Sequence, residues 1–254
     1  FCGCVTLVPV VNEPAFRRGH RTGEDGLDLA RTCPGRDDGS TTERIAAELS
    51  ELIESADFYI DLHTGGTEFS VWPLAGYSMH SNPVILHHQR AMAQAFNLPV
   101  VWGTAGDLNG RSLSVARDAG VPAIYCEYLG AATSNPDGVS AYRDGCLNVM
   151  TELGMLDQTL AESRVKFTVE DPRSGSGHMQ VCHPAPFDGL FEPTLPLGSP
   201  VQAGEPFGVV HDLHGKQSQE ITATESGLLL VLRTFPRILA NSSAGVVLPL
   251  EFRV

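Results

Sequence analysis

Three things are scarce or missing in this sequence of 254 residues, and each absence argues against a class of protein. No apolar run approaches the roughly 20 residues that a membrane-spanning helix needs. No signal peptide is visible, so we expect no membrane partner. Basic charge is scarce: 17 Lys and Arg residues accompany 30 Asp and Glu residues, for a net charge of -13. That excess of acid argues against nucleic acid as a partner.

The cysteines show no paired framework. Six of them are scattered along the chain, without the dense, regular spacing of small disulfide-stabilised secreted domains. We therefore expect reduced thiols and a cytoplasmic location. The composition, 42% hydrophobic and 19% charged, is that of an ordinary globular protein long enough to bury a sizeable core.

Strands and helices alternate over the first part of the chain. Ser40 and Glu43 form a capping box that predicts a helix to about Ser55. Further helices are predicted over residues 82–96, 112–119 and 137–153, and strands over residues 3–11, 58–62, 68–74, 99–102 and 121–127. Residues 12–38 are polar and Gly-rich, which predicts a long functional loop. The alternation predicts an α/β fold: a parallel or mixed sheet with helices on both faces.

Composition changes after about Ala161. No good helix is predicted beyond Val165, and Gly and Pro separate short apolar segments. Strands are predicted over residues 165–169, 179–182, 206–211, 220–223, 228–232 and 246–252. Ser174-Gly175-Ser176-Gly177 predicts a flexible loop. We therefore expect two domains, an α/β domain of residues 1–161 and an all-β domain of residues 162–254. The second resembles a barrel-sandwich domain, although Lys216 does not match the lysine of a biotinyl or lipoyl carrier.

The segment Asp61-Leu62-His63-Thr64-Gly65-Gly66 holds the most informative chemistry. An apolar strand runs into it and places His63 at its carboxyl end, where open α/β sheets carry their active sites. An imidazole in that position is a good zinc ligand, and Asp61 or a backbone carbonyl could orient it. A catalytic zinc needs three protein ligands. The alternative is a hydrogen-bonded histidine near the sheet edge.

Three more residues carry candidate chemistry. Arg31, in the long loop, could hold a substrate carboxylate in bidentate fashion, or be a solvated surface residue. Arg21 in the same loop could stabilise an oxyanion. Glu127 ends a very apolar strand, where a buried carboxylate with a raised pKa would suit a general base. The alternative for Glu127 is a carboxylate that emerges into solvent as the strand ends.

Together these pieces resemble the succinylglutamate desuccinylase/aspartoacylase family, a branch of the zinc carboxypeptidase superfamily. Asn12-Glu13-Pro14-Ala15-Phe16 resembles the family's Asn-Pro-x-Ala-Phe segment, and residues 28–35 resemble its Asn-Leu-Asn-Arg-x-Phe-Pro-Gly. Residues 61–66 and 127–130 resemble its zinc histidine motif and its catalytic glutamate.

The resemblance implies a role for each candidate residue. His63 becomes a zinc ligand, Glu127 the general base and acid, and Arg21 the oxyanion donor. Arg31 becomes a binder of the substrate carboxylate. Either Arg111 or Arg117 could correspond to a family arginine that recognises the acidic end of the substrate.

The sequence departs from the family pattern in three places. The His-Gly-x-Glu that supplies the other two zinc ligands would precede Gly3 and is not in this chain, which begins at Phe1 within a predicted strand. Ala30 stands where the family has asparagine, so one polar contact is lost. Cys33 stands where an aromatic residue is usual, which changes packing.

The resemblance implies a zinc-dependent hydrolase of linear amide C–N bonds, a deacylase acting on a small anionic N-acyl amino acid. One alternative is a metal-free homologue that binds a carboxylate or serves as a scaffold. Another is a zinc exopeptidase that removes C-terminal residues from peptides. The oligomeric state stays open, and a homo-oligomer is compatible with the sequence.

Overall fold

The computed structural model describes residues 1–179 and 182–254. Its α-helices are α1 Glu13–Arg18, α2 Thr41–Glu54, α3 Pro83–Phe96, α4 Ser112–Ala119 and α5 Pro136–Glu152. The four helices predicted from the sequence are confirmed to within one or two residues at each end. None of the helices in the described ranges is long and apolar enough to cross a membrane.

The described residues form twelve strands, which are arranged in two sheets. They are β1 Tyr59–His63, β2 Phe69–Ser78, β3 Val100–Thr104, β4 Ala123–Gly130, β5 Phe167–Asp171, β6 Gly189–Pro193, β7 Pro200–Val201, β8 Pro206–Asp212, β9 Ser218–Thr222, β10 Gly227–Arg233, β11 Arg237–Ile238 and β12 Gly245–Pro249. The larger sheet has the order β1-β4-β2-β10-β12, with β3 on β2, β5 on β3 and β7 on β10. It is mixed, because β1 and β4 are parallel while β2 runs antiparallel to β4.

Strand β2 serves as the central strand because it is long and interrupted. One edge pairs with β4. The other edge pairs with β10 through residues 69–71 and with β3 through residues 74–78. Pro73 lies in the gap, where the register against β4 also shifts, and a proline has no N–H to donate to a ladder. One strand thereby joins the N-terminal and C-terminal parts of the chain.

Helices cover both faces of the larger sheet, as expected. On one face, Met92 and Phe96 of α3 and Val149 of α5 pack against Ile124 and Cys126 of β4. On the other face, a separate cluster joins side chains of α2 and α4 to the start of β4; its buried members are Cys33, Ala46, Leu49, Ile53, Val115, Ala116, Val121 and Ala123. Helices therefore pack on both sides of β4, the strand that carries Glu127.

The C-terminal part forms a second sheet in the order β11-β6-β8-β9. Phe191, Phe207 and Val210 fill its core and meet Leu229 and Val247 of the larger sheet. The barrel-sandwich arrangement and the division into domains at residue 161 stay predictions. The predicted strand over residues 179–182 falls partly on 180 and 181, outside the described residues.

The structure differs from the sequence expectation at residues 3–11 and within residues 12–38, and it places the strand predicted at residues 165–169 in the larger sheet. The strand predicted at residues 165–169 is confirmed as β5, Phe167–Asp171, which lies in the larger sheet parallel to β3. Residues 3–11 form no strand. Val5 and Leu7 are 52% and 77% exposed, because β-branched sequence favours a strand only when a partner strand pairs with it.

The predicted loop over residues 12–38 contains the short helix α1. The Asn12 side chain accepts a hydrogen bond from the Ala15 N–H at 3.1 Å, and Pro14 occupies the first turn. Gly19 ends the helix at φ 60°. These caps are ordinary start and stop signals, but the helix is too short to show an apolar period in the sequence.

Asp25 attaches this long loop to the start of α2. Its carboxylate accepts hydrogen bonds from the Thr42 N–H at 2.7 Å and from the Thr42 hydroxyl at 2.9 Å. The backbone bond from Thr42 is the largest cause that lowers the pKa of Asp25 from 3.8 to about 2. A residue distant in sequence thus satisfies a helix N-terminus.

We expect Asp25→Ala to lower the free energy of unfolding at neutral pH by about 1–2 kcal/mol, the usual value of a helix cap. The folded pKa is depressed, so this stability is present above the unfolded value of 3.8 and is lost as the pH falls through about 2. Urea unfolding at neutral and at strongly acidic pH measures the loss of stability and its disappearance in acid. Asp37→Ala, at an exposed site in the same loop, is the control, and an equal loss at both pH values would contradict the prediction.

Candidate functional site

Parallel pairing of β1 and β4 brings two predicted site residues side by side. His63 lies opposite Glu127, and Asp61 lies opposite Tyr125. Side chains alternate along a strand, so these four share one face of the sheet. His63 is the last residue of β1, as predicted, whereas Glu127 lies inside β4, which continues to Gly130. The roles of these residues stay predictions.

Glu127 is the most unusual carboxylate of the site. It is 9% exposed, and its Oε2 has no hydrogen-bond partner among the described residues. Burial raises the pKa of Glu127 to about 7, although the neighbouring His63 opposes the shift. A carboxyl group that titrates near neutrality can both accept and return a proton.

His63 is held at its ring and at its backbone. Its Nε2 lies 3.0 Å from Asp61 Oδ1, and its carbonyl accepts a hydrogen bond from the Tyr142 hydroxyl at 2.5 Å. Burial alone would lower the pKa of His63, but the Asp61 carboxylate outweighs burial and raises that pKa to about 9. The hydroxyl of Ser112 donates a hydrogen bond to Asp61 Oδ2, which fixes the carboxylate that orients the ring.

The described side chains offer fewer donors than a catalytic zinc ion needs. Among the described residues, no group of three or more His, Cys, Asp or Glu side chains could hold a metal. His63 could supply one nitrogen, since a neutral ring that donates Nε2–H to Asp61 keeps the Nδ1 lone pair. A catalytic zinc needs three protein ligands, so the described side chains do not form a complete site.

Two of the predicted arginines lie in the loop before α2. Arg21 Nε donates to Asp28 Oδ2 at 2.9 Å and remains 56% exposed. Arg31 ends a short 3-10 helix, which begins where Asp28 Oδ1 accepts from the Ala30 N–H at 3.1 Å. Asp28 therefore organises both arginines. The charge of Arg21 is a smaller influence, which opposes the raised pKa of both His63 and Glu127.

Arg111 is less exposed than Arg21 and Arg31, the two candidate arginines of the loop before α2. It is half-buried at the start of α4, and no carboxylate of the described residues lies within ion-pair distance of it. Burial, and then the charge of Arg31, lower the pKa of Arg111, while the nearby Tyr125 opposes them. An unpaired, desolvated cation beside another arginine is costly unless an anion joins it.

Arg117, the other candidate for specificity, is occupied elsewhere. Its guanidinium donates to the Gly106 carbonyl at 2.6 Å, to Asn109 Oδ1 at 2.9 Å and to Asp118 at 2.7 Å. All three nitrogens are thereby used within the segment around α4. The geometry favours Arg111, and its role in specificity stays a prediction.

Two supporting residues were not identified from the sequence. Ser112 contacts Asp61, and Tyr142 contacts the backbone of His63, each across a long stretch of chain. Ser112 lies beside Arg111 at a predicted helix start, but no sequence signal connects it to Asp61. Cys33, one of the departures noted above, is buried in the cluster of α2 and α4, and burial raises the pKa of its thiol to about 11. This supports a packing role for Cys33.

A family model described as the succinylglutamate desuccinylase/aspartoacylase catalytic domain matches residues 1–153. This range includes all the predicted site residues. The chain is also 31% identical over 242 residues to N-alpha-acetyl-L-2,4-diaminobutyric acid deacetylase of Halomonas elongata, an alignment that covers 92% of this chain and 68% of that protein.

Solved structures share the fold. A succinylglutamate desuccinylase from Silicibacter sp. TM1040 is 28% identical with a TM-score of 0.85, over 94% of this chain and 73% of that one. The product-bound ectoine utilization protein EutE (DoeB) from Ruegeria pomeroyi is 29% identical with a TM-score of 0.83, over 95% and 73%. The mixed sheet flanked by helices is therefore a shared architecture.

We expect Glu127→Gln to raise the free energy of unfolding of the metal-free protein above neutral pH. An acid whose folded pKa is raised loses stability as the pH climbs from its unfolded value of 4.5 to about 7. This interval corresponds to about 3 kcal/mol. Urea unfolding in a chelating buffer at about pH 4 and about pH 8 should show the gain at the higher pH alone.

Glu220→Gln, on the exposed side of β9, is the matched control and should leave the free energy of unfolding unchanged at both pH values. A Glu127→Gln protein that is less stable than the parent at high pH would show that the carboxylate is stabilised in its site.

Proposed function

Because the chain belongs to the succinylglutamate desuccinylase/aspartoacylase family, we propose that it is a deacylase that cleaves the acyl–nitrogen bond of a small N-acyl amino acid. One observation carries the proposal: Glu127 is buried, has no partner for Oε2 among the described residues and lies opposite His63 at the site. A buried carboxyl group with a pKa of about 7 is suited to move a proton at neutral pH.

In the proposed reaction Glu127 acts as base and then as acid. It takes a proton from the water whose oxygen bonds to the acyl carbon, and it gives that proton to the nitrogen as the C–N bond breaks. Arg21, whose charge reaches both His63 and Glu127, stabilises the negative oxygen that develops on the carbonyl. The products are a carboxylate and a protonated amine, because the amine also takes up the proton that the new carboxylic acid releases, so atoms and charges balance.

Charge at the site supports an anionic substrate. Arg111 is half-buried without a carboxylate partner among the described residues, and the charges of Arg21 and Arg31 act on it. A guanidinium offers paired donors that match a carboxylate. In this proposal Arg31 and Arg111 hold the carboxylate of the N-acyl amino acid. The relatives named above act on N-acetyl diaminobutyrate or carry the name succinylglutamate desuccinylase, which sets the size of candidate substrate.

Zinc dependence is part of the proposal, with His63 as one ligand. Since the described side chains form no group of three ligands, zinc binding needs further donors and is tested separately. The C-terminal sheet, proposed to be barrel-sandwich-like, caps the site and limits substrate size.

The half-buried Arg111, which has no carboxylate partner among the described residues, also fits a second candidate, a metal-free homologue that binds a small carboxylate. Both candidates use the arginines. They differ in whether Glu127 and His63 take part in bond cleavage.

The test is amine release from a panel of N-acetyl and N-succinyl amino acids, including N-acetyl-diaminobutyrate, N-acetylaspartate and N-succinylglutamate. We expect turnover of at least one, and Glu127→Gln should lower kcat by about 100-fold or more, as is typical for loss of a general base. Glu220→Gln should keep the parental rate. Faster release from blocked dipeptides than from free N-acyl amino acids would favour an exopeptidase.

Elemental analysis of the purified protein, expressed with zinc supplied, tests the metal. About one zinc per chain, lost in His63→Ala, is expected for the zinc-dependent enzyme. A folded protein with no zinc and no turnover, which still binds N-acyl amino acids, would contradict the deacylase and leave the carboxylate-binding homologue.

A further inference from the structure

The segment of residues 174–177, predicted to be a flexible loop, is tied down by hydrogen bonds. It follows β5 and lies against the loop that follows β3. The Ser176 hydroxyl accepts from the Ala105 N–H and donates to the Asp171 carbonyl, both at 2.9 Å. The Gly175 N–H donates to the Asp107 carboxylate at 3.1 Å, and the Ser174 hydroxyl donates to the same carboxylate.

The start of this segment is anchored by a charged group. Asp171, at the end of β5, is 2% exposed and accepts from Arg173 at 2.9 Å and 2.6 Å. Arg173 also donates to Glu225 at 3.0 Å, just before β10. The anchor joins the segment to the C-terminal part of the chain, because a carboxylate held by a bidentate arginine has little freedom to move.

The other end of the segment reaches Arg111. Arg111 Nη1 donates to the Gly177 carbonyl at 3.4 Å. Gly177 is buried against β3: a Cβ added there would lie 3.1 Å from Thr104 Oγ1 and 3.4 Å from Leu108 Cδ1. The carbonyl that receives Arg111 is therefore placed by the end of β3 and by the two bonds of Ser176.

Positioning of this kind matters for a side chain such as arginine. A free arginine has many rotamers, and ordering it when a ligand binds costs free energy. The Gly177 carbonyl occupies one nitrogen of Arg111 and leaves the other donors of the guanidinium for a carboxylate. Arg111 lacks a carboxylate partner among the described residues, so the missing anion would come from a ligand.

We propose that residues 174–177 position Arg111 to receive the carboxylate of the substrate, and that Ser176 is the positioning residue that holds this segment in place. The inference deepens the proposed function and rests on it in one respect, namely that the anion is the substrate. It assigns part of the specificity of the site to the C-terminal half of the chain, outside residues 1–153 that the family model matches.

The test compares Ser176→Ala with its conservative counterpart Ser176→Thr, which keeps the hydroxyl. Loss of the Ser176 hydrogen bonds should weaken carboxylate binding by about three- to tenfold. We expect Ser176→Ala to raise KM for the hydrolysed N-acyl amino acid by that factor with kcat unchanged, and Ser176→Thr to restore it. The melting temperature of each variant shows that it is folded.

Ser226→Ala is the matched control. The Ser226 hydroxyl also accepts from a backbone N–H, that of Ala203 at 2.9 Å, and also donates to an oxygen, that of Gln202, but it lies in a turn beside β10. It should leave KM at the parental value. Should Ser176→Ala fail to fold, Asp107→Asn at an exposed position weakens the same segment and should raise KM in the same direction.

Titration calorimetry with succinate separates this inference from the proposed function. We expect succinate to bind the parent protein, to bind Ser176→Ala about three- to tenfold more weakly, and to lose binding in Arg111→Ala. If no panel compound is hydrolysed but succinate follows this order, the deacylase fails and the positioning of Arg111 stands. Equal succinate affinity in the parent and Ser176→Ala, or no succinate binding by the parent, would overturn the inference.

Discussion

The parallel pairing of β1 and β4 is the contact on which the candidate site depends. It sets His63 opposite Glu127, and a slip of one residue would turn one of the two side chains to the other face of the sheet. A contact between the segment after β1 and the end of β4 holds this register. The Gly65 N–H donates to the Leu129 carbonyl at 2.7 Å, and a Cβ on Gly65 would lie 2.4 Å from the Phe69 carbonyl oxygen, so a glycine is needed there.

Two arginines away from the site have ion-pair partners, whereas two charged groups of the site lack such partners among the described residues. Arg233 is 3% exposed, and it donates to Glu68 and to backbone carbonyls. Arg90 forms two bonds with Glu170. At the site, Glu127 Oε2 has no partner among the described residues, and a half-buried arginine has no carboxylate. Burying such groups unsatisfied costs free energy. The packing of the apolar side chains on the sheet offsets that cost. A substrate could supply the hydrogen-bond partners that these groups lack.

The C-terminal part of the chain contributes strands to the same sheet that carries the site. Strand β10 pairs with the first residues of β2, and Arg233 at its end contacts Glu68, which follows the His63 motif. The segment of residues 174–177 adds a second connection, to Arg111. A substitution in the C-terminal half is therefore expected to affect the site through these backbone contacts.

The sequence by itself determined the features that depend only on residues close together along the chain. Asn82 and Pro83 start α3, Gly120 ends α4, and the strand-end position of His63 could be predicted, because caps and strand periods are local. Tertiary structure decided what depends on distant partners. It left residues 3–11 unpaired, placed β5 beside β3 and brought Ser112 to Asp61. Strand pairing and long-range hydrogen bonds have this in common: each needs a second group whose position only the folded chain fixes.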